Sequence, residues 1–99
     1  MISLCFVMGS EKVIFICLGK FREKQTKEMI ARGEERHKKM STMGIRPISQ
    51  YWTLGRFDSV WIFEAPDEKT AMKMMLAVEG VKTETLVAIS RDEAVKLLV

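Results

Sequence analysis

The fold is decided by residues 51–66, which read YWTLGRFDSVWIFEAP. This stretch holds both tryptophans and the only tyrosine of the chain. Gly55 and Asp58 are typical turn residues, because glycine adopts positive φ and aspartate accepts hydrogen bonds from nearby backbone amides. The apolar and aromatic residues on either side predict two strands, 45–54 and 59–65, that fold back on each other around this turn.

The segments before the hairpin predict one strand and one long helix. Residues 13–18 are apolar at every position and end at Gly19, which indicates a strand covered on both faces. Residues 22–43 contain no proline and many good helix formers, and Gly44 suits the end of a helix. The apolar stripe predicted for this helix consists of Met29, Ile30, Gly33, Met40 and Met43.

The segments after the hairpin predict a helix, a strand and a short terminal helix. Asp67 is the expected N-cap or first-turn acid of the first of these helices, which ends at Gly80. Residues 81–90 alternate like a strand with one better-covered face, and residues 91–99 predict a helix capped by Ser90. The apolar side expected for the helix that follows Asp67 consists of Ala71, Met72, Met74, Met75, Ala77 and Val78.

The order of these elements, β-α-β-β-α-β, predicts an α+β fold of the ferredoxin-like type. Right-handed crossovers give an antiparallel sheet with strands in the order four-one-three-two and helices on one face. Composition supports that order, since the first and third strands are continuously apolar, as central strands should be. The second and fourth carry polar residues or proline, as edges do: Pro47, Gln50, Lys82 and Glu84.

The sheet face opposite the helices predicts an interface between two copies of the chain. Strand alternation puts Val60 and Ile62 on one face and Trp61 and Phe63 on the other, yet the helices cover only one face. A monomer would then expose an apolar patch larger than soluble monomers tolerate. We expect a homodimer through the open sheet face, a dimeric α/β-barrel association, with higher oligomers left open.

Composition narrows the class of protein and its partners. The chain has 99 residues, 47% hydrophobic and 29% charged, with a net charge of +3. These values predict a single folded domain over residues 11–99, preceded by a lead over residues 1–10. The balanced charge gives no reason to expect a nucleic-acid or membrane partner, and no run reaches the ~20 apolar residues of a membrane span.

The lead and the cysteines leave several interpretations open. The lead is an extra edge strand, a disordered segment or a misassigned start, since Met8 could also initiate; it lacks the flanks of a signal peptide. Cys5 and Cys17 are expected to be reduced thiols in a cytoplasmic protein. Four ligands are needed for structural zinc, and the chain offers two cysteines and one histidine, so no metal and no cofactor are expected.

Three motifs resemble the GYD-domain family. They are residues 51–58 (YWTLGRFD), 64–68 (EAPDE) and 81–86 (VKTETL), and the resemblance covers residues 12–90. It implies a ferredoxin-like fold of the dimeric α/β-barrel group, but it carries no reaction with it. The family's Gly-x-Tyr-Asp signature has phenylalanine at Phe57 here, so any role that depends on a phenolic hydroxyl is not expected.

Four residues of the hairpin region are candidate ligand contacts: Tyr51, Trp52, Arg56 and Glu64. Tyr51 and Trp52 point to opposite faces of the sheet, where packing is the alternative role. Arg56 either lies in solvent or reaches an anionic ligand. Glu64 either pairs with a basic residue or forms the polar spot of a cavity.

His37 is the candidate catalytic residue. It borders the apolar stripe of the first helix and should face the sheet, where it acts as a general base, as a haem ligand, or simply as a half-buried histidine with satisfied hydrogen bonds. The eight methionines either fill the core or line a loose ligand pocket.

Three classes of function follow. The favoured one is a homodimeric module that binds an unknown small molecule or a partner, since no catalytic motif is evident. The alternative is an enzyme of the dimeric α/β-barrel type, a cofactor-independent monooxygenase or a haem-cavity protein, that uses the helix–sheet cavity near His37. RNA binding is disfavoured because residues 56–63 lack the glycine and the central aromatic of the RNA-recognition signature.

Overall fold

A computed structural model describes residues 12–98 of the chain. The predicted lead over residues 1–10, with Cys5, lies outside the described residues. The elements are β1 (Val13–Phe21), α1 (Lys27–Met40), a 3₁₀ turn (Ser41–Met43), β2 (Arg46–Trp52), β3 (Ser59–Ala65), α2 (Glu68–Met75), β4 (Val81–Ala88) and α3 (Arg91–Lys96). This order confirms the α+β, ferredoxin-like prediction.

The four strands form one antiparallel sheet in the order β2-β3-β1-β4, which is the predicted order. Phe15 lies opposite Phe63 and Cys17 lies opposite Trp61, all on the face that α1 and α2 cover. Pro47 lies at a register shift in the edge strand β2, where its missing N–H costs no central hydrogen bond.

The first helix begins later than the sequence predicted. The prediction placed its start at residue 22, but α1 begins at Lys27 because Thr26 caps it, with Thr26 Oγ1 accepting a hydrogen bond from the Met29 amide at 3.2 Å. Good helix formers before the cap therefore stay outside the helix. At the other end, Gly44 has φ 81° and closes the 3₁₀ turn as predicted.

Gly19 does not end the first strand as predicted. β1 continues through it to Phe21, and Gly19 pairs with Ser59. A Cβ at Gly19 would lie 2.5 Å from Ser59 Oγ and 3.0 Å from Val81 Cγ1. The glycine therefore marks a close approach of three strands rather than a strand end.

The two later helices, α2 and α3, are shorter than predicted but begin at the predicted caps. Asp67 Oδ1 accepts a hydrogen bond from the Thr70 amide at 2.7 Å, and Ser90 Oγ accepts one from the Glu93 amide at 3.1 Å. The prediction that Met72 faces the core was wrong, since its side chain is 65% exposed. Among residues 12–98, no helix is long and apolar enough to cross a membrane.

The core lies between the sheet and the two covering helices. β1 and β3 supply its floor, where the Phe15 and Phe63 rings stack at 5.4 Å between centroids. The buried apolar residues are Phe15, Cys17, Met40, Ile45, Trp61, Phe63, Ala65, Ala71 and Met74. One face of the sheet therefore holds the core.

The opposite face of the sheet is also apolar, and we call it the open face. Its centre is formed by cross-strand pairs that alternate with the core residues: Ile16 with Ile62, and Leu18 with Val60. These four side chains are half-buried, and Leu86, beside Ile16 in β4, is 43% exposed. The open face is the part of the described fold that α1 and α2 leave uncovered.

Candidate functional site

A cleft of about 600 Å³ lies between α1 and the core face of the sheet. Its floor is built from strand residues and its roof from one side of α1, including Met29, Gly33 and His37. The floor follows from the strand register, because side chains that are paired across strands share a face and form rows.

The first row of the floor holds Gln50, Trp61, Cys17 and Thr85, which are cross-strand neighbours from β2 to β4. Trp61 is 8% exposed, and its indole ring stacks against the His37 imidazole with centroids 5.0 Å apart and planes at 24°. The Trp61 Nε1 atom is buried and has no hydrogen-bond partner among residues 12–98. A buried donor left unpaired is uncommon in a folded protein, so the Trp61 Nε1 group is a candidate hydrogen-bond donor to a ligand.

The second row holds Trp52, Ser59, Gly19 and Thr83. Its two central residues, Ser59 and Gly19, are the smallest residues of the floor. The third row pairs Phe21 with Val81. The Phe21 and Trp52 rings make an edge contact at 5.4 Å with planes at 70°. Aromatic pairs thus stand at both ends of the cleft, with glycine and serine between them.

The hairpin turn holds the Phe21–Trp52 pair in place. Gly55 has φ 109°, a conformation that favours glycine. The Asp58 carboxylate accepts a hydrogen bond from the Phe21 amide at 2.8 Å, and the Asp58 amide donates to the Gly19 carbonyl at 2.8 Å. The Asp58 side chain therefore joins the turn to the end of β1, while within the hairpin it is the Asp58 carbonyl that accepts a hydrogen bond from the Thr53 amide.

The structure separates the sequence candidates into two groups. His37 and Trp52 line the cleft. Tyr51 lies on the open face, opposite Val60, and is 59% exposed. Glu64 also lies on that face and accepts a hydrogen bond from Arg46 Nε at 2.9 Å, which is the pairing alternative.

Arg56 lies away from the cleft, on the hairpin turn. Its guanidinium carbon is 5.5 Å from the centroid of the Phe57 ring, and the residue is exposed. A contact of this kind at an exposed site is worth about 0.5–1 kcal/mol. The arrangement supports the turn, and it directs the charge toward solvent.

Sequence reasoning placed Trp61 on the face opposite Val60 and Ile62, without assigning the helices to either face, and did not select it as a site residue. Gly33 was assigned to the apolar stripe, and Ser59 was treated only as the start of a strand. Trp61, Gly33 and Ser59 all line one cleft. They could be identified as site residues only from the strand register and the position of α1 over the sheet.

Cys17 is a free thiol in the floor of the cleft. Burial raises the pKa of this thiol above its ordinary value, against the opposing effect of a hydrogen bond with Thr85. It is therefore protonated at neutral pH and is a poor nucleophile. Within residues 12–98, no cluster of three or more His, Cys, Asp or Glu side chains is arranged to hold a metal ion.

Burial lowers the pKa of His37 below its ordinary value of 6.5; Glu34 opposes this shift and Arg36 adds to it. Because the unfolded chain then binds a proton more readily than the folded one, stability from this residue is complete above pH 6.5 and is lost as the pH falls toward the folded-state pKa. We expect urea midpoints to fall between pH 7 and pH 5 less steeply in His37→Gln than in the natural chain. Equal slopes would contradict this prediction.

The fold and the cleft define an α+β domain of the ferredoxin-like class with a candidate ligand site between its first helix and its sheet. Residues 15–98 match the family model of the GYD domain, and the chain belongs to this family. Among solved structures, a de novo designed protein, Foldit4, is similar with a TM-score of 0.50 and 16% identity, over 82% of this chain and 100% of the designed chain. At that identity the likeness concerns the fold alone. No curated protein matches the chain.

Proposed function

We propose that this protein is a homodimeric small-molecule-binding domain whose ligand occupies the cleft between α1 and the sheet. The observation that carries the proposal is the buried, unpartnered Trp61 Nε1 beside a cleft of about 600 Å³. Small-molecule sites typically span about 300–1,000 Å³ and combine apolar walls with a few polar groups. Leaving a buried donor unpaired costs about 1–3 kcal/mol, which a ligand acceptor would recover.

Reaching that donor requires some movement of the cleft wall, since Nε1 is screened from solvent. His37 is the neighbour suited to this movement, because it is half-buried and stacks on the Trp61 ring. Rotation of its side chain opens one side of the indole without disturbing the strands. The cleft side chains adapt further through Met29, Met40 and Met75, which are unbranched and flexible.

The open face supports the homodimer part of the proposal. Ile16, Ile62, Leu18 and Val60 form a continuous apolar centre, and the Arg46–Glu64 ion pair lies beside it. Covering such side chains with the same face of a second subunit follows two-fold symmetry and removes apolar area from water at about 25 cal/mol per Å². Helix-side ligand binding and sheet-side dimerisation then use opposite faces of one sheet.

A second candidate is an enzyme that uses His37 in the same cleft. The observation in its favour is the position of His37, which lines the cleft and stacks on Trp61; burial also lowers its pKa, which favours the neutral imidazole as a proton acceptor. The haem-cavity form of this alternative has a direct test: haem added to the purified protein gives a Soret shift that is absent in His37→Ala. No shift, or the same shift in the variant, rules out haem ligation by His37.

A native mass spectrum of protein purified from its own host tests the proposal. We expect twice the subunit mass plus the mass of one retained small molecule per subunit, and loss of that molecule after mild unfolding. His37→Gln should retain the ligand but exchange it at a different rate. A monomer with no retained or exchangeable small molecule would contradict both parts of the proposal.

A further inference from the structure

We infer that the cleft takes an uncharged, planar aromatic molecule with a hydrogen-bonding edge, seated between Gly33 on the roof and the Gly19–Ser59 pair on the floor. This inference rests on the proposed ligand-binding function and specifies its ligand.

The helix and the floor rows have nearly the same repeat. Four residues of α1 rise about 6 Å, and neighbouring same-face rows of a strand are about 6.8 Å apart. His37 stacks on Trp61 in the first row. Two turns earlier, Met29 Cε lies 3.5 Å from the Cβ position of Gly80, directly before Val81 of the third row.

Gly33 lies midway between His37 and Met29, so it faces the second row, where Gly19 pairs with Ser59. A Cβ at Gly33 would meet no atom within 4 Å, and Gly19 has no side chain. The roof is therefore open at this place, and the floor below it is formed by the small Ser59 and Val81 side chains, which lie over Gly19. We call this space the glycine slot.

The walls of the glycine slot are aromatic. One wall is the Trp61–His37 stack and the other is the Phe21–Trp52 edge pair. Aromatic rings gain most from a flat π-surface, through stacked or edge contacts at centroid distances of about 4.5–7 Å. This favours a planar aromatic ligand over a globular aliphatic one of the same size.

The polar side chains on the floor of the slot are uncharged. The floor offers the Ser59 and Thr83 hydroxyls and the Gln50 amide, all lining the cleft. Four of the charged residues that line the cleft, Glu23, Arg32, Glu34 and Glu79, are exposed, and a fifth, Arg36, is half-buried on the roof. A carbonyl, lactam or phenol edge on a neutral ring satisfies the inner groups, whereas a full charge would lose its hydration there.

The test measures binding of three small probes to the full chain by titration calorimetry and by ¹H–¹⁵N spectra of the two indole N–H groups. Coumarin is planar with a carbonyl edge, naphthalene is planar without one, and camphor is a globular ketone with as many heavy atoms as coumarin. We expect coumarin to bind about tenfold tighter than camphor, with naphthalene between them. The Trp61 indole signal should move with coumarin more than with naphthalene. Trp52→Phe and Trp61→Phe assign the two signals.

Two variants locate the site. Gly33→Ala adds a methyl group to open space in the slot and should raise thermal stability, since alanine favours a helix over glycine by about 1 kcal/mol, while weakening coumarin about fivefold. Ser59→Ala should reduce coumarin binding and leave naphthalene binding unchanged. The matched control is Glu35→Ala, on the exposed side of α1, which should leave all three affinities unchanged.

The outcomes separate this inference from the proposed function. Camphor binding as tightly as coumarin, or Gly33→Ala binding coumarin normally, overturns the inference. A retained ligand that is aliphatic or charged does the same, but leaves the small-molecule function in place. If no probe binds and no molecule is retained, the proposed function fails together with the inference.

Discussion

The substitution Ile62→Glu is expected to turn the proposed homodimer into a monomer. Ile62 lies at the centre of the open face, paired with Ile16 in β1 and Ser49 in β2. In a two-fold dimer through this face, each subunit would bury a carboxylate against apolar side chains, since the nearby Arg46 is already paired with Glu64. Such burial costs several kcal/mol, so the dissociation constant should rise about a thousandfold. Sedimentation equilibrium across a concentration series measures this directly.

The matched control places the same charge on the hairpin turn, outside the open face. Leu54, at the hairpin turn, is 102% exposed, so Leu54→Glu should keep the subunit count and the secondary structure of the natural chain. The circular dichroism spectrum of Ile62→Glu should also match that of the natural chain, since the open face lies opposite the core. The dimer model fails if the natural chain sediments as a monomer at micromolar concentration, or if Ile62→Glu stays dimeric.

Alternation and capping chemistry predicted most of the fold. The bounds predicted for β3, 59–65, are those of the structure. The strand was easy to delimit because its residues are apolar on both faces, a turn precedes it and a proline follows it. The opposite faces of Tyr51 and Trp52 followed from the two-residue period. The helix caps at Asp67 and Ser90 are local hydrogen bonds that the sequence displays directly.

The errors arose where a distant contact decides the local structure. Gly19 was predicted to end the strand. Glycine is instead required there because the Ser59 side chain, forty positions later in the sequence, occupies the space that a Cβ would need. The candidate site depended on such contacts even more. His37 could be assigned to the sheet-facing side of α1 from helical spacing, whereas its stacking partner Trp61 could be identified only from the register of β3 beneath the helix.

Trp61→Ala is expected to cost about 3–5 kcal/mol of the free energy of unfolding, a large part of the total for a domain of this size. Trp61 is 8% exposed, and its ring lies 4.6 Å from the Phe63 ring and 5.0 Å from the His37 ring, between centroids. Truncation leaves a cavity beneath α1 that the paired strands cannot close. Urea unfolding at fixed protein concentration measures the change, since the proposed dimerisation would make stability concentration-dependent.

The second tryptophan provides the control. Trp52 lies one row away on the same face but is 61% exposed, so Trp52→Ala should cost no more than about 1 kcal/mol. Trp61→Phe should also cost little in the ligand-free protein, because the smaller ring loses packing but removes the unpaired donor. Equal losses in Trp61→Ala and Trp52→Ala would contradict the burial of Trp61. If Trp61→Phe lost as much stability as Trp61→Ala, the Nε1 group would have a partner in the folded chain, and the ligand site would lose its main support.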